Sequence, residues 1–304
     1  MSNNPNDNSA GSSWNWSWSQ YPYLTDDEAN SFNSDIIINI AGAGDDFEPG
    51  GYAYLTILHE IGHSLGLSHT QDYKVTPDGD YYPSIDQLGF GFLGWLGYSI
   101  MDYRDFAYFV IASAQIPGTT IIYDNETNQQ FYPATLMPLD YLGLAYLYNY
   151  DPESDPFLLP KVTPGNDTYK HEGPMFFTIH DTGRVDTLDW PEQDWNSTVY
   201  LVPFWLNNTV LSEFGDDKLR FLDPYTDQEV FTGWILGLSP FTYIENIKAG
   251  SGNDIIYLND VSNHVTLGDG DDSVFDISTN DSIFGESGND AFYALDDTFT
   301  LVDG

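Results

Sequence analysis

The chain has 304 residues, room for about two domains. Its formal charge of −39, from 47 Asp and Glu against 8 Lys and Arg, makes nucleic acid and anionic membrane surfaces poor partners. Apolar residues at 41% supply real cores, zero cysteine excludes disulfides and thiol catalysis, and no apolar run is long enough to span a membrane as a helix. The acidic excess reads as a solvated surface and as an invitation to hard cations, which bind carboxylate and carbonyl oxygens.

Residues 1–13, rich in Ser, Asn and Gly, read as a flexible lead, and residues 1–34 lack the basic start and apolar core of a signal peptide. Trp14, Trp16 and Trp18 alternate with polar residues, which suggests a short strand with an aromatic face. Residues 34–40 are β-branched and end in Ala41-Gly42-Ala43-Gly44, a stronger strand. A helix is predicted over residues 52–65, with Ala53, Ile57, Ile61 and Leu65 as its core stripe.

The run from His59 to His69 is His-Glu-Ile-Gly-His-Ser-Leu-Gly-Leu-Ser-His and fits H-E-x-x-H-x-x-G-x-x-H. On a helix His59 and His63 leave one face and can grip one ion, while Glu60 sits beside its open position. Gly66 can take a positive φ and turn the chain back, so that His69 closes as a third ligand. Three imidazoles and a vacant fourth position describe catalytic zinc. A lone histidine is more often a packed or surface residue, but three of the chain's six fall here with the required Glu and Gly. His171, His180 and His264 have no motif and read as structural or surface residues.

This motif resembles that of the metzincin metalloproteases, and Ser99-Ile100-Met101-Asp102-Tyr103 resembles the S-x-M-x-Y methionine turn of serralysins. The resemblance implies that Met101 floors the metal and that the Tyr103 hydroxyl binds zinc in the resting enzyme. It also implies that residues 34–40 form an edge strand for extended substrate. The glycine- and aromatic-rich residues 89–97 could wall the substrate pocket or simply pack in the core. Residues 134–148 read as a second helix, similar to the one that closes the serralysin catalytic domain, and the Asp/Pro-rich residues 151–156 as a domain boundary.

Beyond residue 245 a beat of nine is measurable: Ile247, Ile256, Val265, Val274, Ile283, Phe292 and Leu301. Glycine-aspartate turns recur at about twice that period, with Gly250, Gly252 and Asp254, then Gly268, Gly270 and Asp272, then Gly285, Gly288 and Asp290. This resembles the G-G-x-G-x-D-x-U-x repeat of calcium-binding parallel β-rolls. Residues 258–263 and 276–281 lack the glycines, so calcium is expected on one edge only. Gly165-Asn166-Asp167-Thr168-Tyr169 and Gly183-Arg184-Val185-Asp186-Thr187-Leu188 look like entry coils of the same roll.

The expected fold class is therefore an α+β metzincin-like catalytic domain followed by an all-β parallel β-roll domain. The expected divisions are a polar lead at 1–33, a catalytic domain at 34–150 with a reduced N-terminal half, and a roll at 160–304. The chain is expected to be a fragment, since the next turn is cut at Asp303-Gly304. The implied protein is a secreted, extracellular zinc endopeptidase with Zn2+ on His59, His63, His69 and Tyr103, Glu60 and Tyr103 catalytic, and Ca2+ in the roll. Its implied partners are protein or peptide substrates and, for the full-length protein, type I secretion machinery. It is expected to be a monomer with no membrane insertion. The alternative is a non-catalytic calcium-binding surface or adhesion module that retains a relic zinc site.

Overall fold

The computed structural model describes residues 11–14, 35–39, 42, 44–75, 79, 81–94, 96–104, 122–123, 132–149, 165–170, 176–194, 196–202, 209–211, 220–222, 229–232, 234–240, 242–278, 280–295 and 300–302. The chain is α/β with mostly parallel strands and, among the described residues, two α-helices, α1 (Tyr52–Ser64) and α2 (Pro138–Asn149).

The C-terminal half follows the nine-residue beat. From Asn246–Lys248 onward the strands begin at 246, 255, 264, 273, 282, 291 and 300 and alternate between two sheets. Residues eighteen apart therefore stack: Ile247 on Val265 on Ile283 in one sheet, and Ile256 on Val274 on Phe292 in the other. Ile247, Ile256, Val265, Val274 and Ile283 are all completely buried, the expected result of one inward residue per short strand. The first sheet extends back in parallel register through Thr187–Asp189 to Thr168–Tyr169, so the two proposed entry coils join it. This portion is compatible with a β-roll. The second sheet departs from the all-parallel expectation, because Thr209–Leu211 pairs antiparallel with both Ser197–Tyr200 and Trp234–Leu238.

In the N-terminal half, Asp35–Ile38 pairs antiparallel with Gly11–Trp14, and both lie against α1. The expected aromatic strand thus starts earlier, inside the segment read as a flexible lead; Trp16 and Trp18 lie outside the described residues. α1 occupies the predicted span, but it buries a different face. Ala53 is buried, whereas Ile57 and Ile61 are partly exposed and Leu65 is exposed; the buried side chains include Leu55, Thr56, His59 and Glu60. The histidine face turns inward because the 98–102 turn packs on it.

α2 begins at Pro138 rather than residue 134, because a proline disfavours the α conformation at the residue before it, and the chain at 133–134 is instead drawn into pairing with Phe176 (Ala134 N–H to its carbonyl, 2.7 Å). Its start is well specified. Pro138 needs no intrahelical partner, and Asp140 reaches back to the Met137 N–H (2.8 Å), half of a capping box. Leu93 and Tyr98 join the core, whereas Phe90 is exposed. That core runs without a break from Leu55 and Met101 through Phe176 to Ile283, and Ile122–Tyr123 pairs with Arg220–Leu222. The two halves are thus knitted together by packing and by strand pairing.

Candidate metal centre

α1 stops where Gly66 takes φ +99. The Leu67 N–H returns to the Gly62 carbonyl (3.0 Å) and the Gly66 N–H to that of His63 (2.9 Å), a Schellman ending. This reversal carries His69 back over the helix. A Cβ on Gly62 would lie 2.6 Å from the Met101 sulfur, so a side chain there would push away the turn beneath the histidines. Met101 itself is buried.

The three imidazoles converge. His69 Nε2 lies 3.2 Å from His59 Nε2 and 3.0 Å from His63 Nε2. Each Nδ1 faces an oxygen acceptor: the Ile100 carbonyl for His59 (2.7 Å), the Leu67 carbonyl for His63 (2.9 Å) and an Asp72 carboxylate oxygen for His69 (2.9 Å). Those acceptors place the proton on Nδ1 and turn three Nε2 lone pairs toward one another. Burial, only partly offset by the Ile100 hydrogen bond, pushes His59 down to about 4, with His63 and His69 adding to the effect. Burial likewise lowers His63. Three neutral rings with opposed lone pairs repel unless a cation lies between them. A tetrahedron with zinc–nitrogen bonds of roughly 2.0–2.1 Å has edges of about 3.3–3.4 Å, close to the spacings here. The residues fit zinc.

Glu60 is buried beside this triad. Tyr103 Oη is 2.7 Å from His69 Nε2 and 3.4 Å from His59 Nε2, so the hydroxyl sits at the mouth of the site. Burial, then the charge of Glu60, raises its pKa, which keeps the phenol protonated in the metal-free protein. All five zinc-site residues named from sequence are thus brought together.

Two partners were not anticipated. Asp72 orients His69; a carboxylate three residues beyond the last histidine was its only signal. Asp72→Ala should weaken zinc binding about 10- to 100-fold without altering the fold, the usual cost of losing such a partner. Competition with a chromophoric chelator measures it, and an unchanged affinity would exclude the role. The other is Asp140, which accepts from Ser99 Oγ (2.6 Å) and the Ile100 N–H (2.9 Å) and so fixes the turn whose carbonyl holds His59. Burial pushes Asp140 up to about 6 against these hydrogen bonds.

In the roll, the glycine-aspartate turns stack on one edge. Ser197 donates its N–H to Asp254 Oδ1 (2.7 Å), Asp254 to Asp272 Oδ1 (2.7 Å) and Asp272 to Asp290 Oδ1 (3.1 Å). The second oxygens of Asp254 and Asp272 are buried and find no hydrogen-bond partner. A Cβ on Gly268 would lie 2.1 Å from the Gly250 carbonyl oxygen, and one on Gly270 2.2 Å from that of Gly252, so carbonyls press into the gaps between coils. Burial drives Asp254 up to about 6 and Asp272 to about 7, Asp272 with repulsion from its neighbours. Bare oxygens with frustrated charge fit a hard cation such as Ca2+.

The opposite edge also holds acids. Asp167, Asp181 and Asp186 bring carboxylate oxygens within 4.8 Å of one another, and Asp186 is pushed up to about 6, chiefly by burial. Cation-capable geometry is therefore not confined to the edge chosen from sequence. The Gly-x-Asp-x-apolar pattern of Gly165-Asn166-Asp167 was the legible clue. Lower on that edge the side-chain amides of Asn259 and Asn263 both donate to the Ile244 carbonyl (2.9 and 3.1 Å), while the buried Asp281 carboxylate accepts from the Asn263 backbone N–H (2.8 Å). His180 stacks on Tyr141 with centroids 4.3 Å apart and bonds Ser239, a structural role; His171 lies outside the described residues.

No family model matches the chain. It is 29% identical over 223 residues to a serralysin of Proteus mirabilis, covering 71% of this chain and 37% of that protein. It is 27% identical over 231 residues to a serralysin of Photorhabdus luminescens, covering 73% and 39%. Metalloprotease AprA of Pseudomonas entomophila is 27% identical over 222 residues, covering 70% and 38%. The matches thus span less than two fifths of the length of these curated relatives. The chain is a relative of the serralysins.

Proposed function

We propose that the chain is a zinc-dependent endopeptidase unit of a secreted protein, with a metzincin-like catalytic domain at 34–150 and a calcium-loaded roll at 160–304. The observation that carries the reading is the meeting of three Nε2 lone pairs whose Nδ1 protons are already committed.

His59, His63 and His69 would hold zinc, which would supply Lewis acidity at this site. Glu60 takes the proton of the attacking water on its carboxylate and delivers it to the leaving amine. Glu60 is buried and adjoins His59 on α1. Tyr103, at the rim, donates its hydroxyl hydrogen to the oxygen on which negative charge develops. Asp72, Ile100 and Leu67 hold the imidazoles in the tautomer that leaves Nε2 free. Extended substrate lies along Asp35–Ile38, paired through its backbone.

The test is removal of zinc. A chelator such as 1,10-phenanthroline should abolish casein hydrolysis with calcium still present, and one equivalent of zinc should restore it. A protein that folds with calcium yet cleaves nothing after zinc loading would instead be a binding module with a vestigial centre.

A further inference from the structure

One cluster beside the metal centre has no part in the chemistry above. Asp102, its side chain completely buried, lies between Met101 and Tyr103. Its carboxylate accepts from Arg104 Nε (2.8 Å), Arg104 Nη2 (2.7 Å), the Arg104 backbone N–H (2.9 Å) and the Thr70 hydroxyl. Arg104 Nη1 completes the fork on both oxygens of Asp86 (2.9 and 3.0 Å). Two glycines clear the space: a Cβ on Gly94 would lie 1.9 Å from Arg104 Nη2, and one on Gly91 2.5 Å from Asp86 Oδ1.

We propose that the Asp102–Arg104 fork is a positioning clamp that fixes Tyr103 against His69, and so sets how the phenol meets the metal. The proposal rests on the zinc reading above. Thr70 follows His69 directly, and Asp102 and Arg104 flank Tyr103 on both sides. The single buried carboxylate therefore ties the peptide of the last histidine to the peptide of the tyrosine. With the neighbours of both His69 and Tyr103 tied to one carboxylate, the tyrosine hydroxyl is restrained 2.7 Å from His69 Nε2. A chain with 8 lysines and arginines against 47 acids places one of them in a two-carboxylate fork at this point. An arginine is required rather than a lysine, because only a planar fork can bond two carboxylates along separate edges. Asp86 carries the restraint on into the 84–88 turn, where the Leu88 N–H bonds the Ser84 carbonyl (3.1 Å).

Two mild substitutions test the clamp in the full chain with calcium present. Thr70→Val removes one hydroxyl donor at nearly constant volume; Arg104→Lys keeps the charge and loses the fork. Copper(II) in place of zinc reports the tyrosine directly, through the phenolate-to-copper charge-transfer band in the visible. The band, zinc affinity by chelator competition, and kcat and KM on a peptide should be read on folded samples matched by circular dichroism. The expected result is a band at least halved in both variants, zinc affinity lower by about tenfold, and a fall in kcat with KM within twofold. Variants that keep the band, the affinity and kcat would show the cluster to be a passive clip and overturn the proposal. Should wild type take up neither copper nor zinc, the zinc reading fails and the clamp falls with it. A wild type that shows the band while both variants keep it overturns the clamp alone.

Discussion

Glu60→Gln should leave zinc in place and lower kcat/KM for peptide hydrolysis by about 10²- to 10⁴-fold, the usual contribution of a positioned general base. That range corresponds to about 3–5 kcal/mol of transition-state stabilisation. The substitution keeps volume and removes only the capacity to take a proton, and Glu60 is buried one residue from His59 on α1, beside the ligands rather than among them. Folding and metal content should therefore match wild type. The readout is turnover of an internally quenched peptide, normalised to zinc by elemental analysis. Activity within a few-fold of wild type would remove Glu60 from the mechanism, and loss of zinc with activity would place it in the ligand set.

Asp272→Asn should change sign with calcium. When calcium is present the variant should melt below wild type, because a ligand oxygen is lost; at 100 times Kd a single site contributes about 2.7 kcal/mol. In chelator near pH 7.5 the order should reverse, because the variant no longer buries a charge that wild type cannot neutralise. The pH dependence follows from the same groups. In the folded, metal-free protein Asp254 lies at about 6 and Asp272 at about 7, above their ordinary value of 3.8. Folding therefore favours their protonated forms. That stabilisation is fully present below about pH 4 and is lost as pH rises through 6 to 7. Calcium should therefore raise the melting temperature more at pH 7.5 than at pH 5, and its binding should release protons. Thermal melts by circular dichroism at two pH values, with and without calcium, decide it. A roll indifferent to chelator at pH 7.5 would contradict the cation reading.

The features read correctly from sequence were those encoded by local spacing. Nine-residue spacing sets which side chain points inward, so Ile247 through Ile283 could be placed without a structure. Gly66 announced the helix end because few other residues adopt its φ, and the 59–69 spacing announced the converging imidazoles. What escaped was decided by partners far along the chain. Asp140 acts on Ser99 across 41 residues, and Asp102 meets Thr70 across 32, pairings that no periodicity records. The stripe chosen for α1 failed for the same reason. Ile57 and Ile61 look like core residues by hydropathy, yet packing of the methionine turn brings His59 and Glu60 inside. The acidic group at the opposite edge was missed because Asp181 lies outside the glycine-aspartate pattern and reaches Asp167 only when coils stack.

The central claim is that three imidazoles from one bent segment share a single divalent ion. X-ray absorption at the zinc edge of the purified protein tests it without reference to activity. One zinc per chain with three imidazole nitrogens at roughly 2.0–2.1 Å, plus oxygen, is the predicted result. Zinc held by fewer than three imidazoles, or no tightly bound zinc at all, would contradict the account.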